Sequence, residues 1–146
     1  MHFKIITVGK IKNKNLISEI DELKKRISRF EIVELKEVKE KTEELIKKKE
    51  FEIIKPYINK SNYNILLLES GKEFDTKEFY NKLKSIDKPI QFIITGAFGP
   101  NDDLKKACDL VISLSKMTFT HEQALYMLGE QVYRVQCFEK NIPYTK

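Results

Sequence analysis

The chain has 146 residues, 41% hydrophobic and 34% charged, and carries a net charge of +5. Such a composition excludes a disordered polymer and supplies enough apolar surface for one domain with a sizeable core. No apolar run reaches membrane-spanning length and MHFKIITVGK lacks a secretory core, so a cytoplasmic protein with no membrane partner is expected.

Phe3–Val8 is rich in β-branched residues and predicts a strand that ends at Gly9. The polar stretch Lys10–Asn15 predicts a loop. Residues 1–60 hold 16 Lys and Arg against 11 Asp and Glu, whereas residues 61–146 hold 11 of each, so the whole excess charge lies in the first half. It is densest at Lys4, Lys10, Lys12 and Lys14, with no acid before Glu19. A basic stripe of this kind suits an RNA phosphate backbone, and it equally suits a solvated lysine-rich face.

Ser18 can cap a helix with Ile20, Leu23, Ile27 and Phe30 on its apolar side. Glu31–Val38 predicts a strand. Thr42–Ile58 predicts a helix dense in Lys and Glu, with Ile54, Tyr57 and Ile58 as core contacts and Pro56 as a kink or boundary. Tyr63–Leu68 is a continuous apolar strand ended by Glu69-Ser70-Gly71-Lys72. Asp75 or Thr76 caps the helix that carries Phe79, Tyr80 and Leu83. Pro89 precedes a second apolar strand, Ile90–Thr95, which runs into Gly96-Ala97-Phe98-Gly99-Pro100. Asn101 or Asp102 caps a short helix to Cys108, and Asp109–Leu114 predicts a last strand.

Ser113–Arg134 organises the rest. Thr120-His121-Glu122-Gln123 predicts a capping box, followed by an apolar stripe of Ala124, Leu125, Leu128, Val132 and Val135. Gly129 sits inside this helix at a cost of about 1 kcal/mol relative to alanine, which close packing against a partner, or within the chain, would explain. Glu130 and Arg134 are spaced as a helical ion pair. Cys108 and Cys137 read as core residues of a reducing compartment. With only His2 and His121 as histidines, no metal is expected.

Strands and helices alternate, and the later strands are apolar throughout. The fold class expected is α/β, a mainly parallel sheet with helices on both faces, in a single domain over residues 1–146. Ligands of such sheets sit beyond the carboxyl ends of the strands, here at Leu67–Lys72, Thr95–Pro100 and Ser113–Thr120. Gly96 and Gly99 would allow close approach of the backbone. No dinucleotide fingerprint, P-loop or Ser/His/Asp set is present, so spacing alone names no reaction.

The same loops carry a resemblance. Ile6–Lys10, Lys25-Arg26, Leu67–Lys72, Ile94–Gly99, Ser113–His121, Glu130–Arg134 and Pro143-Tyr144 together resemble the RlmH (YbeA-type) SPOUT family of 23S rRNA methyltransferases. The run Ser-Leu-Ser-Lys-Met-Thr-Phe-x-His followed by Glu-Gln-x-Tyr-Arg is the specific part. The resemblance implies S-adenosylmethionine as cofactor and N3 of a pseudouridine on the assembled ribosome as target. It also implies a C-terminal trefoil knot and a homodimer. Carried over, the cofactor residues are Leu67, Gly96, Gly99, Ser115, Lys116, Met117, Thr118, Phe119 and Thr120. Tyr144 and Lys146 would face the target base, supported by Arg134. The chain departs from the family pattern at Leu68, at Thr95 before Gly96, at Thr120, and at Thr145 where relatives carry a histidine. Two other readings follow from those departures: a SPOUT methyltransferase with another RNA target, and an RNA- or ribosome-binding protein of this fold with impaired catalysis.

Overall fold

The computed structural model describes residues 1–144. Five strands, β1 (Phe3–Val8), β2 (Phe30–Leu35), β3 (Tyr63–Glu73), β4 (Ile90–Ile94) and β5 (Leu110–Ser113), form one sheet in the order β2-β1-β4-β3-β5. Every pairing is parallel. The helices are α1 (Lys14–Arg26), α2 (Glu43–Ile54), α3 (Thr76–Lys84), α4 (Asp102–Ala107) and α5 (His121–Glu139).

Alternate residues of each strand point to opposite faces, and the core divides accordingly. Phe3, Ile5, Ile65, Phe92 and Ile94 pack under α1, α3 and α5, together with Leu125, Leu128, Val132 and Val135 of α5. Ile6, Val8, Leu66 and Ile93 pack on the other face against Ile54 of α2 and Leu104 of α4. Burial on both faces is why the central strands are apolar along their length.

Several boundaries differ from the sequence reading, each for a local reason. Helix α1 starts at Lys14, not after Ser18, because the Asn13 carboxamide accepts from the N–H groups of Asn15 and Leu16 at 3.0 and 3.3 Å. It ends at Arg26; Arg29 takes a left-handed φ of 53° and Phe30 opens β2 instead of extending the helix. Pro56 falls in a 3-10 turn, Lys55–Tyr57, that closes α2. Strand β3 continues past Leu68 to Glu73, crossing a register irregularity between Leu67 and Lys72 before it pairs again with β5. Gly71 permits that pairing, since a Cβ there would lie 2.5 Å from the Ile112 carbonyl carbon.

Gly129 faces α1 of its own chain: a Cβ would lie 2.9 Å from Leu23 Cδ1. Packing between α1 and α5 therefore accounts for this glycine, and it gives no support to a contact with a second copy. Gln136, buried on the same helix, accepts from Ser28 N–H at 2.7 Å and donates to the Arg26 carbonyl at 2.9 Å, fastening the end of α1 to α5.

Candidate functional site

Strands β4, β3 and β5 are neighbours in the sheet, so the loops leaving their carboxyl ends emerge side by side. With the first turn of α5 they enclose a cleft of about 600 Å³. Leu67, Gly96, Gly99, Ser115, Met117, Thr118, Phe119 and Thr120 all line it. Lys116 does not; it is exposed beside the cleft. Leu68, Phe98 and His121 line it as well, although they were not among the expected cofactor residues.

The loops hold themselves in place. Gly99 N–H donates to the Gly96 carbonyl at 3.1 Å, and Gly99 takes a φ of 77°, a region that favours glycine. Ser113 Oγ donates to the Ser115 carbonyl at 2.7 Å, and Ser115 Oγ accepts from Met117 N–H at 3.0 Å. The expected capping box is formed: Thr120 Oγ1 accepts from Gln123 N–H at 3.2 Å, and Gln123 Oε1 accepts from Thr120 N–H at 3.0 Å.

Behind the Gly96–Phe98 turn lies a second cavity of about 400 Å³, bordered by Gly9, Lys10, Lys12, Glu50, His121 and Glu122. Glu50 of α2 is 4% exposed and its Oε1 accepts from Gly96 N–H at 2.9 Å. Burial pushes its carboxyl above the ordinary range, against the lowering effect of that N–H. His121 Nε2 is buried without a hydrogen-bond partner among the described residues, and it packs on Gly9, which has a φ of 99°.

The basic residues fall into two places. Lys10, Lys12 and Lys14 are exposed on the loop after β1 and at the start of α1. Glu122, in the first turn of α5, holds this loop by accepting from the N–H groups of Lys12 and of Asn13, the latter at 3.1 Å. Those N–H groups, Lys12 first, hold its carboxyl below the ordinary range. Lys4 stands apart. It lies near the opposite end of β1, about 13 Å from Val8 by strand geometry. It pairs with Glu31 at 3.8 Å and sits 5.4 Å from the Tyr57 ring centroid. The four lysines are therefore not one stripe.

Arg134 and Tyr144 form a third cluster, outside the cleft. Arg134 Nε donates to Glu130 Oε1 at 2.9 Å, and Tyr144 Oη donates to the same oxygen at 3.1 Å. The Tyr144 ring meets Tyr133 edge-on at 4.8 Å, with the Arg134 guanidinium 5.0 Å from its centroid. Desolvation first, then the Glu130 hydrogen bond, raise the phenol above its ordinary range, so at neutral pH Tyr144 is a donor and not a base. Glu130, expected only as a helix ion pair, organises the cluster. Lys146 and Thr145 lie outside the described residues. Along α5, Ala124 at the cleft and Arg134 are ten residues apart, about 15 Å.

Comparison with known proteins places this arrangement. The family described as "Predicted SPOUT methyltransferase" matches residues 1–145. A protein of Dictyoglomus thermophilum named "Ribosomal RNA large subunit methyltransferase H" is 36% identical, the match covering 99% of each chain. One of the same name from Flavobacterium psychrophilum is 39% identical over 99% of this chain and 98% of its own. Among solved structures, a probable methylase family protein from Haemophilus influenzae Rd KW20 superposes with a TM-score of 0.59 at 10% identity, covering 95% of this chain and 66% of that one. The parallel sheet, the family match and that likeness give the alpha/beta knot fold. On the full-length family match and these relatives, the chain belongs to the SPOUT methyltransferase family.

Proposed function

We propose that this protein is an S-adenosylmethionine-dependent methyltransferase that modifies N3 of a pseudouridine in 23S rRNA of the assembled ribosome, in the cytoplasm. One observation carries the reading: three strand-end loops, distant in sequence, converge on one cleft with apolar walls and small polar groups at its rim. Leu67, Leu68, Phe98 and Phe119 suit an aromatic base and a thioether chain. Ser115, Thr118 and Thr120 offer hydroxyls to a ribose or to a charged end.

Held in this cleft by Leu67, Gly96, Gly99 and Phe119, S-adenosylmethionine would supply a methyl group on a sulfonium for in-line transfer to N3 of the base, the sulfur leaving as a neutral thioether. The chain's part is alignment and exclusion of water. The imide N–H must also lose its proton to solvent or a base, which a nearby cation favours. Arg134, and Lys146 in the tail, are the cations we assign to that task. Tyr144 would meet the base as a ring and a hydroxyl donor.

The tail cluster and the cleft lie apart along α5, and a second copy could bring its tail cluster to this chain's cleft. This separation, with the resemblance, is the basis for proposing a homodimer, each copy a single domain. The RNA would lie along Lys10, Lys12 and Lys14.

Cofactor binding is the direct test. A Cβ on Gly96 would lie 2.6 Å from Glu50 Oε2, so Gly96→Ala must displace the loop or Glu50. Titration calorimetry is expected to give micromolar-range binding for the wild type and at least a roughly tenfold loss for Gly96→Ala, equivalent to about 1.4 kcal/mol. No binding by the wild type would overturn the cofactor reading, whereas equal affinities would mean that Glu50 gives way to the added methyl group.

A further inference from the structure

Glu50 is the one buried carboxylate among the described residues, and none of their ion pairs involves it. Buried charges are ordinarily paired with an opposite charge, because leaving water costs far more than one neutral hydrogen bond returns. Here its hydrogen-bond partner among the described residues is a backbone amide, Gly96 N–H at 2.9 Å. The fold places this side chain with care. Helix α2 carries it under the turn that follows β4, and glycine at position 96 lets the carboxylate reach the backbone directly. Gly96 borders both cavities, with Glu50 on one side of it and the cofactor cleft on the other.

Among the described residues no cation pairs with Glu50, although Lys10, Lys12 and Lys39 border the same cavity, and the proposed methyl donor is itself a cation. We propose that Glu50 is the selectivity residue of the cleft: its carboxylate, set behind Gly96, favours the positively charged sulfonium of S-adenosylmethionine over the neutral thioether of the spent product. This rests on the cofactor reading above. It does not require Glu50 to touch the ligand, since charges interact across several ångströms where solvent is excluded. Burial that raises the carboxyl pKa agrees with a charge held without a partner. Loss of the methyl group then removes the attraction, which favours exchange of product for fresh donor.

The same position would also suit a residue that merely props the turn, and the two roles differ in what they predict. A prop affects donor and product alike, because both share the adenosine and the amino acid. A field at the sulfonium affects only the donor. S-adenosylhomocysteine keeps the α-ammonium, so it isolates the sulfonium.

The experiment is calorimetric titration of the whole protein with S-adenosylmethionine and with S-adenosylhomocysteine, for wild type, Glu50→Gln and Glu50→Asp. Gln keeps the shape and an acceptor for Gly96 N–H but not the charge. Expected for Glu50→Gln is a five- to tenfold loss for the donor, roughly, with product affinity changed by less than about twofold. Its thermal midpoint should be equal or higher, since an unpaired buried charge has been removed. Glu50→Asp keeps the charge and shortens the reach, so both affinities fall and their ratio stays near that of the wild type; if the Gln variant does not fold, Glu50→Ala, which also removes the charge, is expected to lose more affinity for the donor than for the product, and equal losses there overturn the proposal. Equal losses for both ligands in Glu50→Gln, or no loss for either, overturn the proposal while the cofactor reading stands. A wild type that binds neither molecule overturns that reading and this proposal with it.

Discussion

Single carboxylates set the geometry around the cleft. Glu122 fixes the loop that carries Lys10, Lys12 and Lys14 to the first turn of α5, and the N–H groups of Lys12 and Asn13 favour its charged form and hold its pKa below the ordinary range. A carboxyl whose folded pKa is lowered contributes stability that is fully present above its unfolded pKa and is lost as pH falls through the folded value. Glu122→Ala is therefore expected to cost about 1 kcal/mol at neutral pH, after allowing for screening at a partly exposed site. Urea titrations of both proteins should show the difference shrinking as pH drops below the ordinary carboxylate value of 4.5. A difference independent of pH would assign the effect to packing. Neither Glu50 nor Glu122 was legible in the sequence. Glu50 lies in a Lys/Glu-rich helix where every acid looks solvated, Glu122 in a first helical turn where an acid needs no distant partner, and what distinguishes these two are partners 46 and 109 or more residues away.

At the scale of elements, local chemistry was readable where local partners decide it. The Thr120–Gln123 capping box and the stripe of Leu125, Leu128, Val132 and Val135 formed as expected, since cap and stripe lie within one helix. The start of α1 was misread because Asn13 and Ser18 are both good caps and only the folded loop selects between them. The length of β3 was misread because Glu69–Lys72 has the composition of a turn, while β5 supplies pairing partners beyond it. The residues proposed for the cofactor were named through the family motif, and all but Lys116 line one cleft, as the rule that ligands meet strand ends leads one to expect. Gly129 was legible as an oddity but not as an intrachain contact. Because Leu23 closes over it, Gly129→Leu should overpack the α1–α5 seam and cost about 1–3 kcal/mol. Differential scanning calorimetry should give the same lowered midpoint at low and high protein concentration. A concentration-dependent midpoint shift confined to the variant would place Gly129 at an association surface instead.

On the scale of the whole molecule, α5 joins the parts. Its first turn borders the cleft and holds the basic loop, its middle packs in the core, and its last half carries Glu130, Arg134 and the contact to Tyr144. Lys4, paired with Glu31 at the far end of β1, is outside that path. If RNA follows the path, replacing Lys10, Lys12 and Lys14 by alanine should flatten the log–log salt dependence of rRNA binding by about two units, and Lys4→Ala should leave it nearly unchanged. Equal slopes in the triple variant and the wild type would make these lysines a solvated surface.

The central claim is the reaction itself, and nucleoside mass spectrometry of 23S rRNA tests it most directly. Ribosomes from cells lacking this protein are compared with wild-type ribosomes, then incubated with the purified protein and S-adenosylmethionine. The account predicts that N3-methylated pseudouridine is missing from the first, present in the second, and restored by the incubation. Its undiminished presence in the deletion cells, or its absence after incubation with an enzyme shown to bind the donor, would contradict the account.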